Sequence, residues 1–199
     1  MALAADKHAQ ILDGAVQAFQ EDGFAGTSMD RVAQRAGVSK RTIYNHFESK
    51  EVLFRAILDV MVEKVRQAVS LTYDPARPVD QQLLELGWTE GRLFVDPDFM
   101  RMARMVIGET MRDPVLAEEM NKRMEYKAVF NAFMEAANKH GALVAPDPAL
   151  AADQFIGLLK TRGFWPVVFS GQPVTPAQMG EIVQDAVKIF LNTYRVQSS

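Results

Sequence analysis

A chain of 199 residues has room for one large domain or two small ones, and with 48% apolar and 24% charged residues it is built to bury a core. Its 22 lysines and arginines stand against 25 aspartates and glutamates; the net charge of −3 excludes a polybasic, sequence-blind binder of nucleic acid but leaves room for a local basic face. Cysteine is absent, which removes disulfides, thiolate metal sites and cysteine nucleophiles.

From the N-terminus, charge at Asp6 comes too early for the apolar region of a signal peptide. Ile11, Ala15 and Phe19, with Leu12 and Val16 beside them, predict a helix over 6–22 that stops at Gly23. Short pieces follow as far as Phe47. Ser49 then opens a longer helix through Leu53, Ile57, Val60 and Lys64, ending before Pro75 and Pro78. Further helices are predicted over 79–95, 98–112, 114–140, 148–169 and 176–196. Asp96-Pro97, Asp113-Pro114, Gly141 and Pro146-Asp147-Pro148 separate them. The longest uncharged stretch, Gly163 to Gly180, holds Pro166, Pro173 and Pro176 and cannot be a membrane span. No run alternates with the period of a strand. The reading is a soluble, cytoplasmic, all-α chain of about nine helices.

Charge is uneven along the chain. Residues 30–50 carry Arg31, Arg35, Lys40, Arg41 and Lys50 against Asp30 and Glu48. Thr27-x-x-Asp30 has the form of a capping box, so a helix starts near Thr27 or Ser28, with Met29, Val32, Ala33 and Ala36 facing inward. Gly37 supplies the left-handed residue that ends it, Val38 fills the angle, and Ser39 caps the next helix. There Ile43 and Phe47 face the core, leaving Lys40, Arg41, Thr42, Tyr44 and Asn45 at the N-terminal and outer faces. Two short helices joined by a tight glycine turn form a helix-turn-helix, whose second helix offers its N-terminal residues to the major groove. Lys40 and Arg41 suit guanine acceptors, Thr42 a base or a thymine methyl, and Asn45 adenine. Tyr44, His46 and Lys50 suit phosphates, although for His46 a local structural hydrogen bond is an equal alternative. The candidate contact set is Thr27, Ser28, Ser39, Lys40, Arg41, Thr42, Tyr44, Asn45, His46 and Lys50.

The pattern T-S-M-D-x-V-A-x-x-A-G-V-S-K-x-T-I-Y-x-H-F-x-S-K-E-x-L-F, from Thr27 to Phe54, resembles the signature of the tetracycline-repressor (TetR) family of bacterial transcription regulators. Ile11 to Phe19, followed by Gly23-Phe24, is similar to the first helix of that family, so the resemblance spans about 6–58. It implies an all-α homodimer with a three-helix DNA-binding head, here 1–50, and an effector-binding and dimerisation body, here 51–199. It also implies a repressor released from a double-stranded operator by a small effector. An activator, or a DNA-binding dimer with no effector, would carry the same head. Arg41 departs from the family, where many members have Gly. More loosely, Arg104 to Pro114, and Phe155 to Lys160 followed by Phe164-Trp-Pro, resemble the AefR-like subgroup.

Seven of the 11 methionines (Met100, Met102, Met105, Met111, Met120, Met124 and Met134) lie close together. Flexible side chains of this kind fill helical cores, or line an adaptable pocket for an apolar or aromatic molecule. The candidate lining is Trp88, Phe94, Met102, Met105, Val106, Phe130, Phe133 and Phe155. Wide apolar stripes on the last helices either close the core or, as the resemblance implies, form an isologous dimer contact through Phe155, Ile156, Leu159, Gly163, Val183, Val187, Phe190 and Tyr194. The Gly-x-Gly-x-x-Gly, Walker, Gly-x-Ser-x-Gly and His-Glu-x-x-His patterns are all missing. His8, His46 and His140 share no ligand spacing with Asp or Glu. No catalytic residue, cofactor or metal is expected, and an all-α enzyme is the remote alternative.

Overall fold

The computed structural model describes residues 2–123 and 127–195, with side chains from Lys7 onward. Helix α1 (Ala2–Gly26) is broken at Gly23, whose φ of 72° and ψ of 159° suit a residue without a Cβ. Its buried face is Ile11, Ala15, Ala18 and Phe19. Helix α2 (Met29–Ala36) packs directly on it at Gly14, where a Cβ would stand 2.6 Å from the Ala36 nitrogen. Helix α3 (Lys40–His46) follows, then α4 (Lys50–Ala68), α5 (Val79–Phe94), α6 (Pro97–Thr110), α7 (Pro114–Arg123), α8 (Lys127–Lys139), α9 (Pro148–Gly163), α10 (Trp165–Ser170) and α11 (Pro176–Tyr194). Among the described residues there is no ladder of strands, only an isolated bridge between Leu143 and Arg195.

Among the described residues, eleven helices stand where about nine were expected. The stretch 148–169 is two helices because Pro166 has no N–H to donate and its ring crowds the preceding turn; the chain turns at Phe164 between α9 and α10. The stretch 114–140 contains α7 and α8; 124–126 between them, including Met124, lie outside the described residues, as does Val196.

Packing divides the chain differently from a cut at residue 50. One unit joins Met1–Glu63 with Arg101–Arg123, and the other joins Lys64–Met100 with Met124–Ser199. In the first, Phe24 stands edge-on to both Phe19 and Phe54, each ring 5.2 Å away. In the second, α5 meets α11 and α9 through glycines. A Cβ on Gly87 would stand 2.9 Å from Val183, and one on Gly163 would stand 3.0 Å from the Met179 sulfur. Phe155 lies between Phe130 and Phe190, at ring distances of 6.3 and 5.2 Å. Gln82, fully buried, ties down the loop before α5. Its Nε2 donates to the carbonyls of Asp74 and Arg77 at 2.9 and 3.0 Å, and its Oε1 accepts the Asp74 N–H at 2.8 Å.

Candidate nucleic-acid interface

The turn between α2 and α3 is held by local polar bonds. Ser28 caps α2 by accepting the Arg31 N–H, Ser39 caps α3 by accepting the Thr42 N–H, and Gly37 adopts φ 61° to end α2. The Gln10 amide donates to the Ala36 carbonyl at 2.7 Å, satisfying one of the orphan acceptors at the end of α2. Lys40 reaches back across the turn to Asp30 at 2.9 Å, and that hydrogen bond raises the affinity of its ammonium for the proton. Arg31 bonds Asp22 and Glu21, and Arg35 bonds Glu21, so two of the basic residues in the cationic segment are spent on α1.

With Ile43 and Phe47 buried, α3 turns Lys40, Arg41, Tyr44 and Asn45 to solvent, while Thr42 is half-exposed with its hydroxyl 2.8 Å from that of Ser39. Arg41 makes no hydrogen bond or ion pair with the described residues, which leaves its five donors open to an external acceptor. Ser28 and Ser39 are exposed as well as capping.

Two members of the expected contact set, Thr27 and Lys50, have other work. Thr27 is buried, its hydroxyl 2.7 Å from the Gly23 carbonyl and 3.1 Å from that of Ala18, so it closes the α1–α2 joint and its hydroxyl is not open to solvent. The helix start belongs to Ser28 alone. Lys50, expected on a phosphate, donates to the carbonyls of Phe24, Ala25 and Thr27 at 2.9, 3.2 and 3.3 Å; its ammonium also lies 4.7 Å from the centre of the Phe24 ring. Carbonyls at a helix C-terminus carry partial negative charge and draw such a cation in. His46 is half-buried with its ring 6.0 Å from that of His8, and it makes no side-chain hydrogen bond among the described residues.

The expected pocket residues fall in both units. Met102, Met105 and Val106 are buried in the first; Phe94, Phe130, Phe133 and Phe155 are buried in the second, where Trp88 is half-exposed. A groove of about 690 Å³ in the first unit is lined by Phe19, Phe24, Arg104, Met105, Glu109 and Arg112 among others. Sequence reasoning had named only Met105 of these. The signal for the rest was the pairing of the Gly23 break with an acid on a distant helix, which no local pattern carries. In the second unit, Glu90 on α5 is buried 3.6 Å from Lys160, and its Oε2 has no hydrogen-bond partner. Burial pushes its carboxyl up to about 7 against the opposing pull of Lys160.

Seven of the eight residues proposed for a dimer contact (Phe155, Ile156, Leu159, Gly163, Val183, Val187 and Phe190) are buried within the chain itself and close the core of the second unit. They form apolar stripes wide enough to serve an interface, and α5 and α8 cover those stripes within the chain instead. Tyr194 is half-exposed, with its hydroxyl 2.6 Å from Gln154. Among the described residues, no cluster of three or more His, Cys, Asp or Glu is placed to hold a metal, and no helix is long and apolar enough to cross a membrane.

Residues 11–57 match the family model for bacterial regulatory proteins of the tetR family, and residues 81–196 match that for the C-terminal domain of AefR-like transcriptional repressors. The chain is 39% identical to a TetR family transcriptional regulator of Pseudomonas syringae pv. tomato DC3000; the match covers 95% of this chain and 97% of that one, with a TM-score of 0.78. It is 26% identical to FrrA, a flavonoid-responsive regulator, over 98% of this chain and all of the other, with a TM-score of 0.71. An uncharacterised HTH-type transcriptional regulator of Bacillus subtilis, YhgD, is 26% identical over 75% of this chain and 78% of its own length.

Proposed function

Because the chain belongs to the TetR family of DNA-binding transcription regulators, we propose that it works as a homodimeric repressor in the cytoplasm, placing α3 of each copy in the major groove of an operator and letting go when a small apolar or aromatic molecule enters the body. The observation that carries the DNA half is the face of α3. Arg41 and Asn45 are exposed and uncommitted, over a base fixed by Ile43 and Phe47. Arg41 is assigned to guanine, Asn45 to adenine, and Lys40 and Tyr44 to the flanks and backbone. The AefR-like match of the body supports repression, and the similarity to a flavonoid-responsive regulator supports a planar aromatic effector.

Within the body, the effector site is assigned to Trp88, Phe94, Phe130, Phe133 and Phe155, with the Glu90 carboxyl as a polar handle. The dimer contact is assigned to apolar side chains left outside the core. Trp165 and Phe169 stack with ring centres 6.1 Å apart, and Ile189 on α11 is half-exposed. A ligand acts only through its preference for the non-binding form; a hundredfold preference supplies about 2.7 kcal/mol per site. The test is capture of genomic DNA fragments by the protein, followed by a panel of flavonoids and other planar aromatics added to the complex. Release of a sequence-defined fragment by one of them supports the reading. Capture with no sequence preference would overturn it.

A further inference from the structure

Residues 24–27, the joint between α1 and α2, are gripped by two side chains from distant parts of the chain. Lys50 takes the carbonyls of Phe24, Ala25 and Thr27. Glu109, near the end of α6, takes the amide: the Phe24 N–H donates to Glu109 Oε1 at 3.2 Å. In an unbroken helix that N–H would go to the carbonyl four residues earlier; the break at Gly23 leaves it without an intrahelical partner. The Glu109 side chain is 12% exposed, and Arg112 holds the same oxygen at 3.0 Å. One turn before the joint, the Gln20 amide donates to the Arg101 carbonyl of α6 at 2.6 Å.

We propose that Glu109 is a positioning residue for DNA recognition: it fixes the angle of the α1–α2 joint, and thereby the presentation of α3, without touching DNA. This rests on the assignment of α3 to the major groove. The segment after the joint turns as one piece, because the Gly37 cap and the Lys40–Asp30 pair tie α3 to α2. Helix α2 is 8 residues long, so α3 begins about 12 Å from the joint. A tilt of about 10° there displaces α3 by about 2 Å, well beyond the ~0.5 Å that a directed hydrogen-bonding constellation tolerates. The joint is therefore a sensitive place to hold the head; the Gly14–Ala36 contact and the Arg31 and Arg35 pairs hold α2 along α1, and Glu109 adds the hold at the joint itself, by a backbone hydrogen bond that no sequence change at Phe24 short of proline would remove.

The test uses the full chain and a duplex that the unmodified protein enriches from a random-sequence pool. Glu109→Met keeps the volume and loses the acceptor; Glu109→Gln keeps an acceptor oxygen and loses the charge. We expect Glu109→Met to bind the enriched duplex about tenfold more weakly while random duplex and the salt dependence change little. Glu109→Gln is expected to stay within about threefold of the unmodified protein. Exchange of the Phe24 amide should be faster in the Met variant and near normal in the Gln variant. Full affinity in Glu109→Met would overturn the proposal. So would equal weakness of the two variants, which would point to the charge opposite Arg112. Equal loss on enriched and random DNA with a lowered melting temperature would assign Glu109 a merely structural role. Failure of the unmodified protein to enrich any duplex would overturn the DNA-reading assignment itself.

Discussion

Arg41, at the start of α3, and Glu90, on α5, each carry polar atoms with no hydrogen-bond partner among the described residues, and of the two Arg41 is bathed in water. For the exposed guanidinium, solvent supplies every missing bond, so an unpaired reader is carried at little cost until an acceptor arrives. For the buried carboxylate the missing bond is a desolvation penalty, which appears as a carboxyl pushed up to about 7. The surroundings differ in the same sense. Caps, a glycine turn and ion pairs hold the head in shape around a polar face, whereas close approach at Gly87, Gly91 and Gly163 holds the α5–α9–α11 packing. The first arrangement tolerates change in its outward residues, and the second is sensitive to each added atom.

The greatest loss is expected at Gly14, where the head too depends on close backbone approach. Gly14→Val would drive a side chain into the backbone of Ala36, 2.6–2.7 Å from the position of a Cβ. A loss of about 3 kcal/mol or more in stability is expected, with DNA binding abolished, as urea titration and gel shift would register. An unchanged melting temperature would mean that α1 and α2 do not approach as described.

Glu90→Gln sharpens the body side. The folded chain retains the Glu90 proton up to about pH 7, while the unfolded chain releases it near its ordinary 4.5. Between those values the native state binds more protons, so its stability falls as pH rises, by up to about 3 kcal/mol at 1.36 kcal/mol per pH unit. Glutamine does not titrate. The variant is therefore expected to match the unmodified protein near pH 4.5 and to exceed it at pH 8, by an amount of that order. A stability difference independent of pH would contradict the assignment.

Arg41→Ala should reduce discrimination at one base pair of each half-site by about 1–3 kcal/mol, leaving random-sequence affinity nearly intact; equal weakening on both would make Arg41 a phosphate contact. The smallest effect is expected from Lys50→Met. Its ammonium is spent on three carbonyls, so the head should lose about 1 kcal/mol of stability, and the salt slope of binding should not change. A slope lowered by about one, the signature of a lost phosphate contact, would restore the role that sequence suggested.

What sequence disclosed follows the range of the interactions. The cap at Ser39, the turn at Gly37 and the inward Ile43 and Phe47 are written within a few residues of where they act, and the structure has them as read, whereas the cap of α2 falls on Ser28, one residue past the Thr27 of the capping-box pattern. Thr27 and Lys50 sit inside the same motif, yet their partners lie on α1 and in the joint that follows it, so their types were read correctly and their tasks were not. In the body, periodicity marked Phe155, Val183 and Phe190 as apolar-facing. Whether the facing neighbour is the same chain or another copy depends on α5, whose Gly87 and Gly91 admit α11. Pattern gives the face of a helix and not the owner of the surface opposite.

Whether α3 reads sequence is decided by its affinity for an enriched duplex against a shuffled one, measured across a series of salt concentrations. Selection from a random pool is expected to yield a two-fold symmetric site with half-sites about one helical turn apart, bound about a thousandfold or more tighter than its shuffled counterpart at physiological salt. A ratio near one at every salt concentration would contradict it.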